Sequence, residues 1–409
     1  MDILPILSTL RRHKITVWLL VLEIALTCAI VCNAVFLIGQ RLQRMDMPSG
    51  IAEHELVQVQ MAYVGSRPDA DARAQTDLAA LRQIPGVRQV ALVNSVPFSP
   101  NGSNIDLMLD PQQQQRTLNA GDSFGRNLLP TLGAKLIAGR DFQPDEYIGL
   151  ETAIAALGSG DPKGLPQTVI VTRAMAGRLW PGQGALGKTL YIGKGIPLRV
   201  IGVLARLTRS SNLQAGADYN ILLPVAINMV DGASYMIRCA PQDRAQVLKA
   251  AVAKLKQIDP NRVLLQKRTY DEVRQEFFAN DRAMAGMLVG VIAALLIVTA
   301  LGIVGLASFW VQQRRRMIGV RRALGATRRD ILHYFQTENF LLATIGIALG
   351  MVLAYGINLF LMLHYELPRL PAVYFPVGAI ALWLIGQLAV LGPALRAAAV
   401  PPVVATRSV

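Results

Sequence analysis

The chain has 409 residues, of which 52% are hydrophobic and 17% charged, and its mean hydropathy is +0.37. That balance is too apolar for a water-soluble protein of this length and places part of the chain in lipid. The net charge of +14 invites a nucleic-acid reading. The basic residues are not interleaved with aromatics as in a single-strand binder, and nucleic acid is excluded as a partner.

Residues 1–14 form a short basic N-terminus with Arg11, Arg12 and Lys14. The first apolar run, Ile15 to Ile38, is long enough to span, since a helix needs roughly 20 residues to cross about 30 Å of hydrocarbon. Basic residues precede it as they precede a secretory signal. It outruns a signal core of about 7–15 residues and no small-x-small cleavage site follows cleanly, so span 15–38 is expected to stay as an anchor. Its polar residues are Glu23 and Asn33. A carboxylate in hydrocarbon is costly unless protonated or paired, which puts Glu23 at a helix interface; with no basic partner in the other spans it makes no proton relay. Cys28 and Cys32 lie in this span and only Cys239 lies outside it, so the outer domain can hold no internal disulfide.

Residues 39–282 have a mixed composition suited to a folded domain in water. "ELVQVQMAYV" alternates as a strand, "DARAQTDLAALRQIPGV" has helical spacing with Leu78, Leu81 and Ile84 on one face, and "RQVALVNSV" reads as a second strand. "SYMIRCA", "PQDRAQVLKAAVAKLKQIDP" and "NRVLLQKRT" repeat that order, with Val247, Ala251, Leu255 and Ile258 as the buried stripe. Two such units predict a ferredoxin-like sheet with helices on one face. The residues between them, about 100–225, are Gly- and Pro-rich with short strands and read as an inserted subdomain. Within it, Ile148 to Gly164 reads as a mobile loop. The stretch "RTYDEVRQEFFANDRAMAG" at the end of the domain has the helical spacing of a rigid stalk leading into the second span.

"PGQGALGKTLYI" matches the phosphate-loop pattern G-x-x-x-x-G-K-[ST] from Gly182 through Gly187, Lys188 and Thr189. A working phosphate loop has a strand before the glycines and a helix after them. Here "TRAMAGRLWP" reads as a short helix and "TLYIGKGIPLRVIGVL" as strands and a hairpin, so the match is fortuitous. Of the four histidines, His13, His54, His333 and His364, only His54 falls in this domain, without metal-ligand spacing, and its neighbours Glu53 and Glu55 read as a solvated surface. No catalytic residue and no metal site is expected.

Three more spans follow, 283–310, 337–363 and 376–395, on the apolar runs Ala283 to Trp310, Phe340 to Leu363 and Val377 to Leu395. Gly286 with Gly290 and Gly346 with Gly350 form two small-xxx-small patterns that permit close helix packing, including packing in a dimer. The loop 311–336 carries Arg314, Arg315, Arg316, Arg321, Arg322, Arg328 and Arg329, whereas the loop 364–375 has only Arg369, offset by Glu366, and the tail 396–409 has Arg396 and Arg407. The positive-inside rule places the termini and the arginine loop in the cytosol and the large insert outside. Arg314 to Arg316 are expected at the lipid headgroups, where anionic lipid attracts each by about 1 kcal/mol. In "MIGVRRALGATRRDIL", Ile318, Leu324 and Ile331 read as apolar contacts among arginines, Gly325 as a break, and Thr327 as a cap with Asp330 three residues on. The pattern predicts a helix along the membrane, a turn, and a helix entering the third span.

"QQRRRMIGVRRALGATRRDILHYFQTENFLLATIGIALGMVLAYGINLFL" resembles the FtsX-type permease domain of the MacB family of ABC transporters, with its "IGxRRALGA" segment before a glycine-rich span. "LGAKLIAGRDF", "VIVTRAMAGRLWPGQGALGKTLYI" and "VIGV" are similar to that family's extracytoplasmic domain, and "GPALRAAAVPPVVATR" to its C-terminal ending. The fold class expected is an α-helical membrane protein of four transmembrane helices, arranged 1+3, with a large α+β extracytoplasmic domain inserted between helices 1 and 2.

The resemblance further implies a permease subunit in the bacterial inner membrane. Its arginine loop would hold the coupling helix, with Ile318, Gly319, Arg321, Arg322, Leu324, Gly325, Ala326, Thr327, Arg329 and Asp330 as the candidate contacts with an ABC ATPase. Only about 14 residues precede the first span, so that ATPase, with its ATP and Mg, is expected on a separate subunit. The expected partners are a second permease copy or paralogue, membrane lipid and a periplasmic adaptor. The expected mechanism is ATP-driven movement passed through the spans to the outer domain for efflux or export. The alternative is an FtsX-like regulator or sensor acting on a periplasmic partner.

Overall fold

The computed structural model describes residues 14–63, 69–99, 102–159, 162–193, 195–210, 216–228, 233–365 and 369–399. Arg11, Arg12, His13, Glu366 and Arg407 lie outside them. The chain divides into a helical unit, built from the residues up to Met45 and from Asn280 onward, and an α+β unit, Asp46–Ala279. Four helices are long and apolar enough to cross a membrane.

The first helix, α1 (Lys14–Met45), enters the α+β unit, where the elements in order are β1 (Leu56–Ala62), α2 (Ala70–Arg82), β2 (Val87–Val93), β3 (Asn104–Met108), β4 (Leu118–Phe124), α3 (Leu128–Leu132), β5 (Leu136–Gly139), β6 (Ile148–Gly149), α4 (Leu150–Ser159), β7 (Thr168–Thr172), α5 (Arg173–Leu179), β8 (Thr189–Ile192), β9 (Ile196–Leu204), β10 (Asn220–Leu223), β11 (Val225–Ala226), β12 (Ser234–Cys239), α6 (Arg244–Ile258), β13 (Val263–Thr269) and α7 (Tyr270–Phe277). The chain then forms α8 (Ala279–Gln313), α9 (Arg315–Ala323), α10 (Arg328–Tyr365) and α11 (Tyr374–Ala398).

The two strand–helix–strand segments pair into one antiparallel sheet in the order β13-β1-β12-β2. This is the ferredoxin-like order, in which each unit contributes one central and one edge strand. Alternation sends Val57, Val59, Val90, Leu92, Tyr235 and Ile237 to the face where they meet Leu78 and Leu81 of α2 and Val247, Ala251 and Leu255 of α6. A fully buried ion pair crosses this core. Both guanidinium nitrogens Nη1 and Nη2 of Arg262 donate to the Asp77 carboxylate at 2.8 Å, and the Tyr235 hydroxyl donates to it at 2.5 Å. Burial first, and the Asp77 charge second, push the Tyr63 hydroxyl up to about 12 and the Tyr235 hydroxyl well above its ordinary range.

The inserted segment builds the second sheet. Strand β8 pairs with both β3 and β9, so β3, β4, β10, β7, β9 and β8 close into a ring, and β5 extends it at the far end of β9. Closure removes the open edges that short exposed strands would otherwise present. Leu107, Val169, Val171, Leu190, Leu198, Val200 and Ile221 fill the interior.

Two expectations need correction. Ile148 to Gly164 is not a loop throughout, because Leu150–Ser159 is helical with Ala153 and Ala156 buried. Its alanines are the best helix formers and outweigh the glycines, which fall at its end; Gly164 packs so closely that a Cβ there would lie 2.6 Å from that of Ala156. Nor is the stalk one helix. α7 starts at a Thr269–Glu272 capping box and ends at Phe278, which leaves helical geometry and is buried against Phe98 and Phe277 at ring distances of 5.1 and 4.9 Å.

Asp77→Ala leaves the Arg262 guanidinium buried without its counter-charge, so unfolding of the outer domain should become easier by about 3–5 kcal/mol. Denaturant-dependent protease resistance of the full chain measures this. The paired change Asp77→Leu with Arg262→Met should recover most of the loss.

Candidate functional site

Between Gln313 and Arg328 the chain turns twice within a few residues. Arg314 breaks from α8 with φ −99° and ψ 9°, and α9 begins at Arg315. Gly325 ends it at φ +101°, a conformation that costs any residue with a Cβ. The Ala326 amide donates to the Arg321 carbonyl at 3.1 Å and the Gly325 amide to that of Arg322 at 3.2 Å, which is a Schellman closure. The next helix starts at once: the Thr327 amide and hydroxyl donate to the Asp330 carboxylate at 2.9 and 2.6 Å, and the Asp330 amide donates back to the Thr327 hydroxyl at 3.3 Å. A stop signal directly followed by a start signal forces an elbow.

The elbow is fastened to the helical unit by charge and by packing. Arg314 donates through Nη1 to both carboxylate oxygens of Glu338 on α10 at 2.8 and 3.0 Å, with both side chains buried, and its guanidinium lies 5.3 Å from the Trp310 ring centre. Arg321 stacks over Tyr334 at 5.1 Å, and Arg322 donates to the Ala398 carbonyl at 3.1 Å. Ile318 sits among Val311, Ile331, Phe335, Ala394 and Ala397.

The expected coupling residues therefore separate into two sets. Ile318 and Gly319 are buried, Arg321 and Arg322 are engaged with α10 and the end of α11, and Ala326 is half-buried against the same cluster. Leu324, Gly325, Thr327, Arg329 and Asp330 are exposed, Leu324 at 84%. Sequence reasoning missed Met317 and Val320, which are exposed on α9 and form with Leu324 an apolar stripe at i, i+3 and i+7. That spacing was available as a signal, but it is interleaved with arginines on both helix faces.

The profile of the MacB-like periplasmic core domain matches residues 19–255, and that of the FtsX-like permease C-terminal domain matches residues 289–402. The chain belongs to the MacB/FtsX-type family of ABC transporter permeases. It is 28% identical over 254 residues to the uncharacterized ABC transporter permease YvrN of Bacillus subtilis, covering 59% of this chain and 62% of that protein. It is 30% identical over 252 residues to the macrolide export ATP-binding/permease protein MacB 2 of Yersinia pestis bv. Antiqua, and 32% over 246 residues to the pyoverdine export ATP-binding/permease protein PvdT of Pseudomonas putida. These matches cover 58% and 56% of this chain and 36% of each relative, so the chain spans well under two thirds of their length. Among solved structures it is similar to the periplasmic region of MacB from Actinobacillus actinomycetemcomitans, at 15% identity and a TM-score of 0.33, over 57% of this chain and 97% of that one.

In this permease the two glycine pairs have different surroundings. Gly346 and Gly350 of α10 lie on α1, where added Cβ atoms would meet Ile24 at 2.7 Å and Cys28 at 2.5 Å. They serve packing within the chain and are not free for a dimer. Gly286 and Gly290 of α8 meet nothing within 4 Å. Asn33 of α1 donates to the carbonyls of Ala29 and Ala354, at 3.0 and 3.2 Å, and so joins α1 to α10. Glu23 faces Gly302 of α8.

The ends of the inserted domain are held on both sides of the junction. In the helical unit, Arg41 near the end of α1 donates to Asp281 at the start of α8 at 2.6 Å, and Arg44 approaches the same carboxylate at 3.8 Å. In the α+β unit, Arg274 of α7 donates to Glu53 and to the Met47 carbonyl, both at 2.7 Å, and stacks on Phe98.

The phosphate-loop look-alike follows α5 and runs straight into strand β8, and Lys188 Nζ donates to Gln183 Oε1 at 3.0 Å. No helix N-terminus is there to hold a phosphate. His54 contacts Asp271, while Glu53 and Glu55 accept from Arg274 and Arg238, so these three neighbours do not converge.

Gly350→Leu should destabilise the helical unit by about 1–3 kcal/mol or more, because the α1–α10 contact has no room for a side chain. Gly290→Leu, with nothing of this chain within 4 Å, should leave the monomeric protein within about 0.5 kcal/mol of the parent. Thermal melting of the detergent-purified proteins compares the two.

Proposed function

We propose that this chain is the permease subunit of a dimeric MacB-like ABC exporter in the bacterial cytoplasmic membrane. A separate ATPase subunit, carrying the ATP and Mg²⁺, grips the elbow, and the movement it generates passes along the helices to the outer domain. The carrying observation is the α9 surface, where Met317, Val320 and Leu324 are presented outward among arginines by an elbow that Arg314 and Glu338 anchor to the helical unit. An apolar stripe on a rigid, basic element suits a groove on a protein partner. Seven arginines in one short loop favour a cytosolic position, on the side where ATP is available.

The outward half of the mechanism rests on the neck. Because Arg41 ties α1 to Asp281 of α8, the two helices that bear the outer domain are held together where they leave the apolar run, and a shift of α8 carries α1 with it. Lipid contacts fall to the exposed apolar residues of the spans, and a second permease copy would meet the bare surface of α8 around Gly286 and Gly290. On the outer domain, exposed Ile154 and Leu157 of α4 give a periplasmic partner an apolar foothold. In export that partner would be an adaptor; in the regulatory alternative it would be the protein regulated.

Leu324→Asp should abolish co-purification of the ATPase while the permease keeps its helical content and melting temperature. Undiminished association would overturn the elbow assignment. Ala326→Asp is a poor test, because Ala326 packs into the elbow itself. For the mechanical step, Asp281→Ala should leave ATPase binding and hydrolysis intact but reduce the ATP-dependent change in distance between spin labels on the α4 helices of two copies. An unchanged displacement would sink the proposed role of the neck.

A further inference from the structure

The crossing of α1 and α8 carries an open groove of about 480 Å³ that neither the elbow nor the neck uses. Leu19, Leu20 and Glu23 of α1 line it with Gly302, Gly305 and Phe309 of α8. Its volume is that of a small-molecule site, for which about 300–1,000 Å³ is usual. Helical rise puts Glu23 about 12 Å beyond Ile15, well inside the apolar run. It is the only charged side chain between Lys14 and Arg41, and α8 has none between Arg282 and Arg314.

Among the described residues the carboxylate is held without a donor. No side chain among the described residues hydrogen-bonds to it, and its two oxygens rest over Gly302, where a Cβ would lie 2.7 and 2.8 Å from them. Thr16 also lines the groove, about two turns from Glu23 along α1, and the nearby Thr27 and Thr299 satisfy each other at 2.9 Å. A carboxyl group in an apolar groove gives up hydration when it ionises, and a cation beside it would regain much of that cost and favour the ionised form. Phe309, half exposed, adds an aromatic face of the kind that attracts cations. Gly305 keeps the floor open, with nothing within 4 Å of where its Cβ would be.

We propose that this groove binds amphiphilic organic cations drawn from the surrounding leaflet. The cationic centre sits on Glu23 and the apolar substituents lie on Leu19, Gly305 and Phe309. A lipid headgroup amine fits less well, because Glu23 lies well below headgroup depth. Binding of this kind needs neither ATP nor an ATPase subunit, so its failure is separable from failure of the elbow assignment.

The test is direct binding of tetraphenylphosphonium to the full chain in phosphatidylcholine nanodiscs, by calorimetry. Saturable binding with one cation per chain is expected. Glu23→Gln should weaken it about tenfold or more, since the charge interaction is made in low dielectric. Gly305→Leu should block it by filling the groove, without disturbing the packing. Neutral tetraphenylmethane should not compete. Several outcomes would overturn the proposal: equal binding by both variants, competition by the neutral analogue, displacement of the cation by phosphatidylethanolamine in the disc, or absent binding together with a Glu23→Cys disulfide between two copies.

Discussion

A domain inserted between two membrane helices can move as a body only if its two points of attachment move together. That condition falls on Asp281, whose side chain is 7% exposed and which accepts from Arg41 and is approached by Arg44. Close to the apolar run, where water is thinned, such a pair is worth more than it would be on an open surface. The domain meets the same condition on its own side, where Arg274 gathers Met47 and Glu53 from the entering chain onto α7 of the leaving chain. Neither clamp could be read as functional from the sequence, because in each case its members lie more than 200 residues apart.

α8 shows the matching arrangement along its length. It is fixed by charge near both ends, through Asp281 and through Arg314, and is bare over much of the span between, where Met287, Val298 and Leu301 are largely exposed. The inner attachment is the stronger, because Arg314 and Glu338 are both buried and loss of either strands a charge. A long helix pinned at its ends and free along its flank is suited to transmit displacement. A helix packed on all sides would instead distribute that displacement into its neighbours.

What was legible in the sequence followed physical period and punctuation. The four spans announced themselves by hydropathy, and the ferredoxin-like half of the domain by the repeated strand–helix–strand pattern, because both signals are local. The elbow was legible for the same reason: Gly325 and the Thr327–Asp330 pair are stop and start signals a few residues apart. The outward face of α9 was not legible. Arginines lie on all its sides, and only the packing of Ile318 against Phe335 and Ala394 decides which side is free. Closure of the second sheet was equally hidden, since it depends on β8 pairing with β3 across most of the insert. Leu150–Ser159 was misread because glycine at its end drew more weight than alanine within it.

The polar groups within the spans bear on how the protein can work. Asn33 is satisfied by the Ala29 and Ala354 carbonyls, Thr27 by Thr299, and Asn358 by the Leu370 amide. The Arg314 Nη1 and the Glu338 carboxylate are spent on each other. Groups spent on one another hold helices together and cannot line a water-filled path, which needs polar atoms left facing a common axis. Glu23, like the buried Trp310 Nε1 and Asn339 Nδ2, has no such partner among the described residues, but it faces an open groove on the side of the unit rather than an enclosed channel. A molecule reaching it would come from the bilayer, whereas the proposed movement runs along the helices. The proposed lateral capture and the proposed longitudinal movement can share these helices because the groove at Gly302 and Gly305 lies between the elbow and the neck, where α1 and α8 shifting together would leave its width unchanged.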